Sequence, residues 1–312
     1  MSEAARGVAA MVAACTIWGL SAIYYKLLDH VPPLEVLAHR TLWSLVFFGA
    51  VLWLQGRLGE IGRVLGAPRS AVLALAAGLF ISANWFFFIW SVQTDRAMEA
   101  SLGYYLFPLV AVALGAIVLG ERHAPVKWAA VGLAGVGVAV LTWGLGVAPW
   151  VSFAIAMTFG GYGLVKRWIA AGPVVSVATE MLLLAPLALV WLWGVHVLSW
   201  APQGGGAVFA ADARDTLLLM ASGPLTAGPL ILFSFASKRA TYATIGLVQY
   251  LNPTLQFFVA TLLFREPFGL WQALAFALIW TALVVYTVAS LRQSSGARNA
   301  ASRVATSSTS VK

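Results

Sequence analysis

Leu34 to Trp43 reads L-E-V-L-A-H-R-T-L-W, and three side chains in it can do chemistry. Glu35 and His39 are four apart, so on a helix they share a face one turn apart. Arg40 lies about 100° further round. A guanidinium matches a carboxylate or phosphate in bidentate fashion, so Arg40 can hold an anionic group of a substrate. Glu35 can carry a coupling proton, with His39 tuning it. The alternative places Glu35 at the outer headgroup level. Arg40, about 7.5 Å below it, would then snorkel out to join it. The surroundings are apolar, and a charge inside a bilayer costs roughly 2.5–3.5 kcal/mol on insertion scales.

Other polar residues invite the same weighing. Lys26 can snorkel or partner Glu35. Glu99, two to three turns before Pro108, can be a second proton carrier or line an outer mouth. Lys26, Glu35 and Glu99 form the expected proton-coupling or gate set. Glu180 pairs with Lys166 or Arg167 at the inner face. Asn84 and Trp85 fall mid-segment, and a buried Asn in lipid must find a partner. Tyr104, Tyr105, Gln249, Tyr250, Asn252 and Gln256 flank Pro108 and Pro253. Such an aromatic and amide lining suits a weakly polar substrate, and it also suits interhelical packing. With Arg40, His39, Asn84 and Trp85 they make the expected substrate-binding set. His30, His123 and His196 have no companion at metal-ligand spacing, so neither a metal nor a cofactor is expected.

The elements that must position these residues follow from composition. The 312 residues are 61% hydrophobic and 10% charged, with mean hydropathy +0.87. Soluble domains run nearer 25% charged, so the chain belongs with membrane proteins. The single cysteine, Cys15, cannot form an internal disulfide. A net charge of +8 forms no basic stripe, which argues against a nucleic-acid partner.

A spanning helix needs about 20 mostly apolar residues. Ten segments qualify: 7–28, 34–55, 71–92, 97–119, 126–145, 149–168, 174–195, 216–236, 241–264 and 268–290. The first is read as a retained helix and not a cleaved signal. The Ser/Thr/Ala/Arg-rich residues 292–312 are expected to be a disordered cytoplasmic tail. With both termini cytoplasmic, fourteen Lys and Arg fall inside and only Arg96, Arg214 and Arg265 in outside loops.

Residues 102–108, L-G-Y-Y-L-F-P, recur as L-V-Q-Y-L-N-P at 247–253, an offset of 145. The same offset pairs Glu121 with Glu266 and Gly78 with Gly223. Five spans per half put the second half upside down. The expected fold is an all-α integral membrane protein of ten helices in two inverted five-helix repeats, 1–146 and 147–291. Inverted repeats place a substrate near the midplane between halves. Pro108 and Pro253 each remove a helical hydrogen bond mid-span and should kink or break the helix beside a central cavity. The Glu35–Arg40 stretch then reads as the polar outer wall or gate.

Several motifs resemble one family. They are Trp18-Gly19, Tyr24-Tyr25-Lys26, P-P-L-E-V-L-A-H-R, Asn84-Trp85, Glu99-Ala100-Ser101-Leu102-Gly103-Tyr104, Gly120-Glu121-Arg122 and Gln249-Tyr250-x-x-Pro253-Thr254. Together they resemble the RarD group of EamA-type transporters in the drug/metabolite transporter superfamily, over nearly the whole chain. The resemblance implies an inner-membrane protein with cytoplasmic termini that exports small metabolites or drug-like compounds. It departs at Phe107-Pro108, where the family tends to have Asn-Pro, while Asn252-Pro253 stands in the second half.

The expected function is therefore a secondary transporter working by alternating access, compatible with proton coupling, exchange or facilitated efflux. Its partners would be a small-molecule substrate, membrane lipids and, compatibly, a second copy in a homodimer. No G-x-x-x-x-G-K loop is present to use ATP. The rival expectation is an intramembrane lipid- or acyl-modifying enzyme using Glu35 and His39.

Overall fold

The computed structural model describes residues 2–198, 200 and 208–309, and these contain helices and no strand. In chain order the helices are α1 (Glu3–Lys26), α2 (Pro33–Leu54), the short α3 (Gly59–Leu65), α4 (Pro68–Gln93), α5 (Ala97–Leu119) and α6 (Pro125–Leu145). They continue as α7 (Trp150–Lys166), α8 (Pro173–Val197), α9 (Ala213–Ser237), α10 (Tyr242–Gln249), α11 (Leu251–Phe258) and α12 (Leu270–Thr309). A π-helical turn, Val259–Leu263, follows α11.

Local signals set the ends. Helices α2, α4, α6 and α8 each open on a proline, which needs no N–H partner in the first turn. Ser2, Asp212 and Thr241 cap α1, α9 and α10 by accepting from Ala5, Asp215 and Thr244 N–H. Gly146 ends α6 at φ 67°, a left-handed conformation that costs glycine no Cβ clash.

Eight of these helices are long and apolar enough to cross a membrane: α1, α2, α4, α5, α6, α8, α9 and α12 through Arg292. Their outward surfaces stay apolar, with Leu54 78% and Trp143 85% exposed, as a lipid-facing surface requires. The chain is thus a multi-pass membrane protein. The expected sixth span is helical but only 17 residues long as α7. The expected ninth is broken into α10, α11 and the π turn. Helix α12 runs on through 292–309, where the sequence predicts disorder. Extending a helix already nucleated adds one hydrogen bond per residue fixed, and this stretch is rich in Ala and Arg.

By compactness the chain divides into residues 1–107 with 150–268, and residues 108–149 with 269–312. These units cut across the expected halves 1–146 and 147–291, since α2 packs on α8 and α6 on α12. In the second unit α6 lies on α12. Gly137 there gives the space that a Cβ would take from Ala275 O and Ile279, at 3.2 and 3.1 Å. In the first unit α2 is wedged among α4, α8 and α9, α4 lies on α7, and α1 lies on α9 and α11.

The 145-residue offset reappears as backbone geometry. Gly120 and Arg265 both take left-handed φ, 65° and 56°. The following N–H groups bond back six residues, Glu121 to Gly115 O at 3.1 Å and Glu266 to Ala260 O at 3.0 Å. Each helix ends with the same reverse hydrogen bond.

Candidate functional site: a cavity among the first-unit helices

The first unit encloses a cavity of about 420 Å³. Its walls come from α1 (Trp18, Ser21, Tyr25), α2 (Arg40), α4 (Ile81, Asn84, Trp85, Phe88), α5 (Tyr104, Phe107) and α7 (Phe159, Tyr162, Gly163, Lys166). They continue on α8 (Ser176, Val177, Glu180), α9 (Leu225, Thr226, Leu230, Phe233) and α10–α11 (Gln249, Asn252, Gln256). Seven pairs of these residues stand 145 apart: 18 with 163, 21 with 166, 81 with 226, 85 with 230, 88 with 233, 104 with 249 and 107 with 252. The repeat found in sequence thus surrounds one space.

Arg40 reaches this cavity although it is only 6% exposed. Its guanidinium carbon sits 3.9 Å from the Trp85 ring centroid and 5.4 Å from that of Tyr25. It does not snorkel to Glu35. Its Nε is buried without a partner, and among the described residues no carboxylate pairs with it.

A second charged group lies deeper along α4. Lys166 Nζ donates to Glu180 Oε1 and to Ser176 Oγ, each at 2.5 Å, and Ser176 Oγ donates to Glu180 Oε1 at 2.8 Å. Glu180 is fully buried, and a Cβ added at Gly78 would stand 3.4 Å from its carbonyl oxygen, so α4 packs closely on α8 there. Seven residues separate Gly78 from Trp85, so the Arg40 and Glu180 ends stand about 10 Å apart along the helix. The pairing of Glu180 with Lys166 matches the sequence expectation, but its place in the cavity wall was not foreseen.

The amides divide between structure and lining. Asn84 is fully engaged: Nδ2 donates to Ile155 O at 3.0 Å and Thr158 Oγ1 at 3.2 Å, and Oδ1 accepts from Tyr104 OH at 2.9 Å. It therefore ties α4 to α5 and α7. Gln256 Nε2 donates to Asn252 Oδ1 at 3.0 Å, while its Oε1 is buried without a partner. Tyr105 and Tyr250, expected to line the site, do not. Tyr105 OH meets Thr254 Oγ1 at 2.7 Å instead. The helical rotation that aims Tyr104 inward turns Tyr105 towards α11.

Pro253 stands in the first turn of α11, just after the helix is interrupted at Tyr250. Ser101 Oγ donates to its carbonyl at 2.9 Å. Pro108 does not break α5, which is continuous from Ala97 to Leu119.

The rest of the L-E-V-L-A-H-R stretch lies outside the cavity. Glu35 Oε1 accepts from Val208 N–H at 3.2 Å, and the His39 ring stacks on Phe209 at 4.5 Å. Neither bonds to the other among the described residues. His39 and Trp43 face a lateral groove with Phe209, Leu189 and Trp193. Lys26 pairs with Asp95 at 2.8 Å rather than with Glu35. Glu99 pairs with Arg96 at 2.7 Å.

Further ties gather near these ends. His30 meets Asp215 at 2.6 Å, and Gln93 Nε2 donates to Leu28 O at 2.6 Å and Val31 O at 3.1 Å. Glu266 accepts from the N–H groups of Ala97 and Met98 at 2.7 and 2.8 Å. Burial outweighs those two bonds and holds its carboxyl above the usual carboxylate range. Sequence reading did not place Asp95, Asp215 or Glu266 in this network, since none has its partner nearby in the chain.

Comparison with known proteins fits this geometry. The profile of the EamA-like transporter family matches residues 5–143. An uncharacterized transporter of Pseudomonas aeruginosa is 41% identical over 90% of this chain and 93% of its own. Protein RarD of Streptomyces exfoliatus is 40% identical, covering 88% of this chain and 86% of that protein. Protein RarD of Salmonella typhimurium is 37% identical over 91% and 95%. A solved crystal structure superposes with TM-score 0.60 at 22% identity, over 90% of this chain and 97% of that one, which is a likeness of fold.

Proposed function

The chain belongs to the EamA-like transporter family as a RarD-like member, and from that premise we propose that it is a secondary transporter exporting small metabolites or drug-like compounds by alternating access. The observation that carries this reading is the cavity whose lining repeats at 145-residue spacing. We read the two shorter helical segments, α7 and the broken α10–α11, as the sixth and ninth of ten spans. The halves are then inverted repeats around a central site.

The excess of Lys and Arg on one side supports cytoplasmic termini in a bacterial inner membrane. On that orientation the cavity reaches the cytoplasmic α7–α8 connection through Ile169, Ala171 and Pro173. The opposite ends of α1, α4 and α9 are tied by Lys26–Asp95, His30–Asp215 and Gln93. This conformer is inward-facing. Enzymatic use of Glu35 and His39 has less support, because one engages Val208 and the other stacks on Phe209.

The test is uptake into proteoliposomes across a panel of small compounds, with and without an imposed pH gradient. Saturable uptake is expected. Absence of uptake across the panel, with lipid turnover that is lost in His39→Ala, would reverse the assignment to an enzyme. Uptake indifferent to the gradient, with Glu35→Gln fully active, would remove proton coupling through Glu35.

A further inference from the structure

We infer that the cavity selects organic monoanions, a carboxylate joined to a planar apolar body, with the carboxylate on Arg40 and the body against the aromatic wall. The inference deepens the transport reading and rests on it. It starts from charge balance. Arg40 is the one buried Lys or Arg among the described residues. Lys166 is neutralised by Glu180 within the same cavity, whereas Arg40 pairs with no carboxylate among the described residues. Nearby phenols are already spent, Tyr104 on Asn84 and Tyr24 on Leu218 O.

A buried charge without a partner is strongly unfavourable, and a ring face offsets only part of that cost. The fold leaves the remainder for a ligand to supply. One free positive charge matches one negative charge. A dianion would bring a second charge with no second free cation on the lining.

The shape of the ligand follows from the neighbours. Trp85 lies under the guanidinium. From Tyr104 the wall continues to Phe159 at 5.8 Å and on to Phe107 at 4.6 Å between ring centroids. Flat bodies gain most from such faces by offset or edge stacking. A cavity of about 420 Å³ lies within the ordinary range for small-molecule sites and accepts a one- or two-ring body.

The test uses the purified full chain and three probes sharing one body: 2-naphthoate, 2-naphthamide and 2-naphthylmethylammonium. Binding is read by tryptophan quenching and by thermal stabilisation in detergent. Wild type should bind the acid on the order of 10–100-fold more tightly than the amide, the worth of a charge-assisted pair in a dry site. The ammonium should bind least. Arg40→Met should erase the preference for acid over amide. Arg40→Lys should keep part of the preference, since an ammonium replaces the charge without the fork.

Equal binding of acid and amide by wild type overturns the inference without any variant. Survival of the preference in Arg40→Met, or absence of acid binding at millimolar concentration, overturns it too. Proteoliposomes separate this from the transport reading. Saturable uptake of the amide with no acid preference sinks the anion assignment and leaves transport standing. Naphthoate that binds through Arg40 yet never crosses upholds the assignment and counts against transport.

Discussion

Lys166 and Glu180 offer a quantitative check on how the first unit is held together. Glu180 is 0% exposed and the Lys166 side chain 22%, and their atoms meet at 2.5 Å. Removing one partner of a buried pair leaves an uncompensated charge and costs about 3–5 kcal/mol. Lys166 keeps some exposure and can hydrate when Glu180 is gone, so Glu180→Leu should cost about 3 kcal/mol. Lys166→Met strands the fully buried carboxylate with only the hydroxyls of Ser176 and Tyr162 and should cost about 4 kcal/mol, unless protonation lowers the bill. Replacing both with apolar residues of similar volume should return stability to within about 1 kcal/mol of wild type.

The coupling energy of the double-mutant cycle is then about 6–7 kcal/mol, and about 3 kcal/mol if protonation relieves the lysine variant. The measurement is reversible unfolding in mixed micelles for the four proteins at one pH. Additive single effects within about 0.5 kcal/mol would refute the claim that these charges stabilise each other. A double variant that regains stability yet loses uptake would show that the pair also serves the cavity.

The remaining predictions are shorter. Gly223→Ala should destabilise by about 1–3 kcal/mol, because its Cβ would stand 2.5 Å from Trp43 O, whereas Gly49→Ala, with nothing within 4 Å, should be neutral or gain up to about 1 kcal/mol. Unfolding midpoints of the two variants decide between close packing and mere helix propensity. Asn84→Leu should cost about 1–3 kcal/mol by stranding Tyr104 OH and removing the ties to Ile155 O and Thr158, with Tyr104→Phe costing less; equal losses would contradict the shared tie. Glu266 has a raised carboxyl pKa in the fold, so folding favours its protonated form. Its contribution is complete below the ordinary value of 4.5 and declines as pH rises through the folded value. Wild type should therefore lose stability relative to Glu266→Gln as pH is raised from 4 to 8, and a difference that is flat or grows with pH would contradict this.

Much of the fold is legible in the sequence because lipid demands long apolar helices, and proline openings mark where many of them start. The repeat is legible because Tyr105-Leu106 with Pro108, and Glu121, recur as Tyr250-Leu251 with Pro253, and Glu266. Arg40 stands out because a guanidinium in such a helix is rare. What stays hidden is which neighbour each face meets. Lipid and protein interior are both apolar, so hydropathy cannot say that Trp18 and Phe159 look into a cavity while Trp143 faces outward. Helical periodicity separates His39 from Arg40 by about 100° but names neither the groove nor the cavity that receives them. Lys26 with Asp95 and Glu266 with α5 are partnerships across 69 and 169 residues. Nothing local announces them.

Of the seven lining pairs that stand 145 apart, only Phe88 and Phe233 match; the others carry unlike side chains, among them Trp85 with Leu230, Tyr104 with Gln249 and Phe107 with Asn252. A molecule inside therefore meets different groups at most of the equivalent positions, and it can be told head from tail. A dimer of identical halves could not do this, since each face would repeat its partner. Joined in one chain, the halves behave as unlike subunits that never dissociate. Each can drift in taste while the other keeps its grip, and a change of cargo needs only one wall to be rewritten.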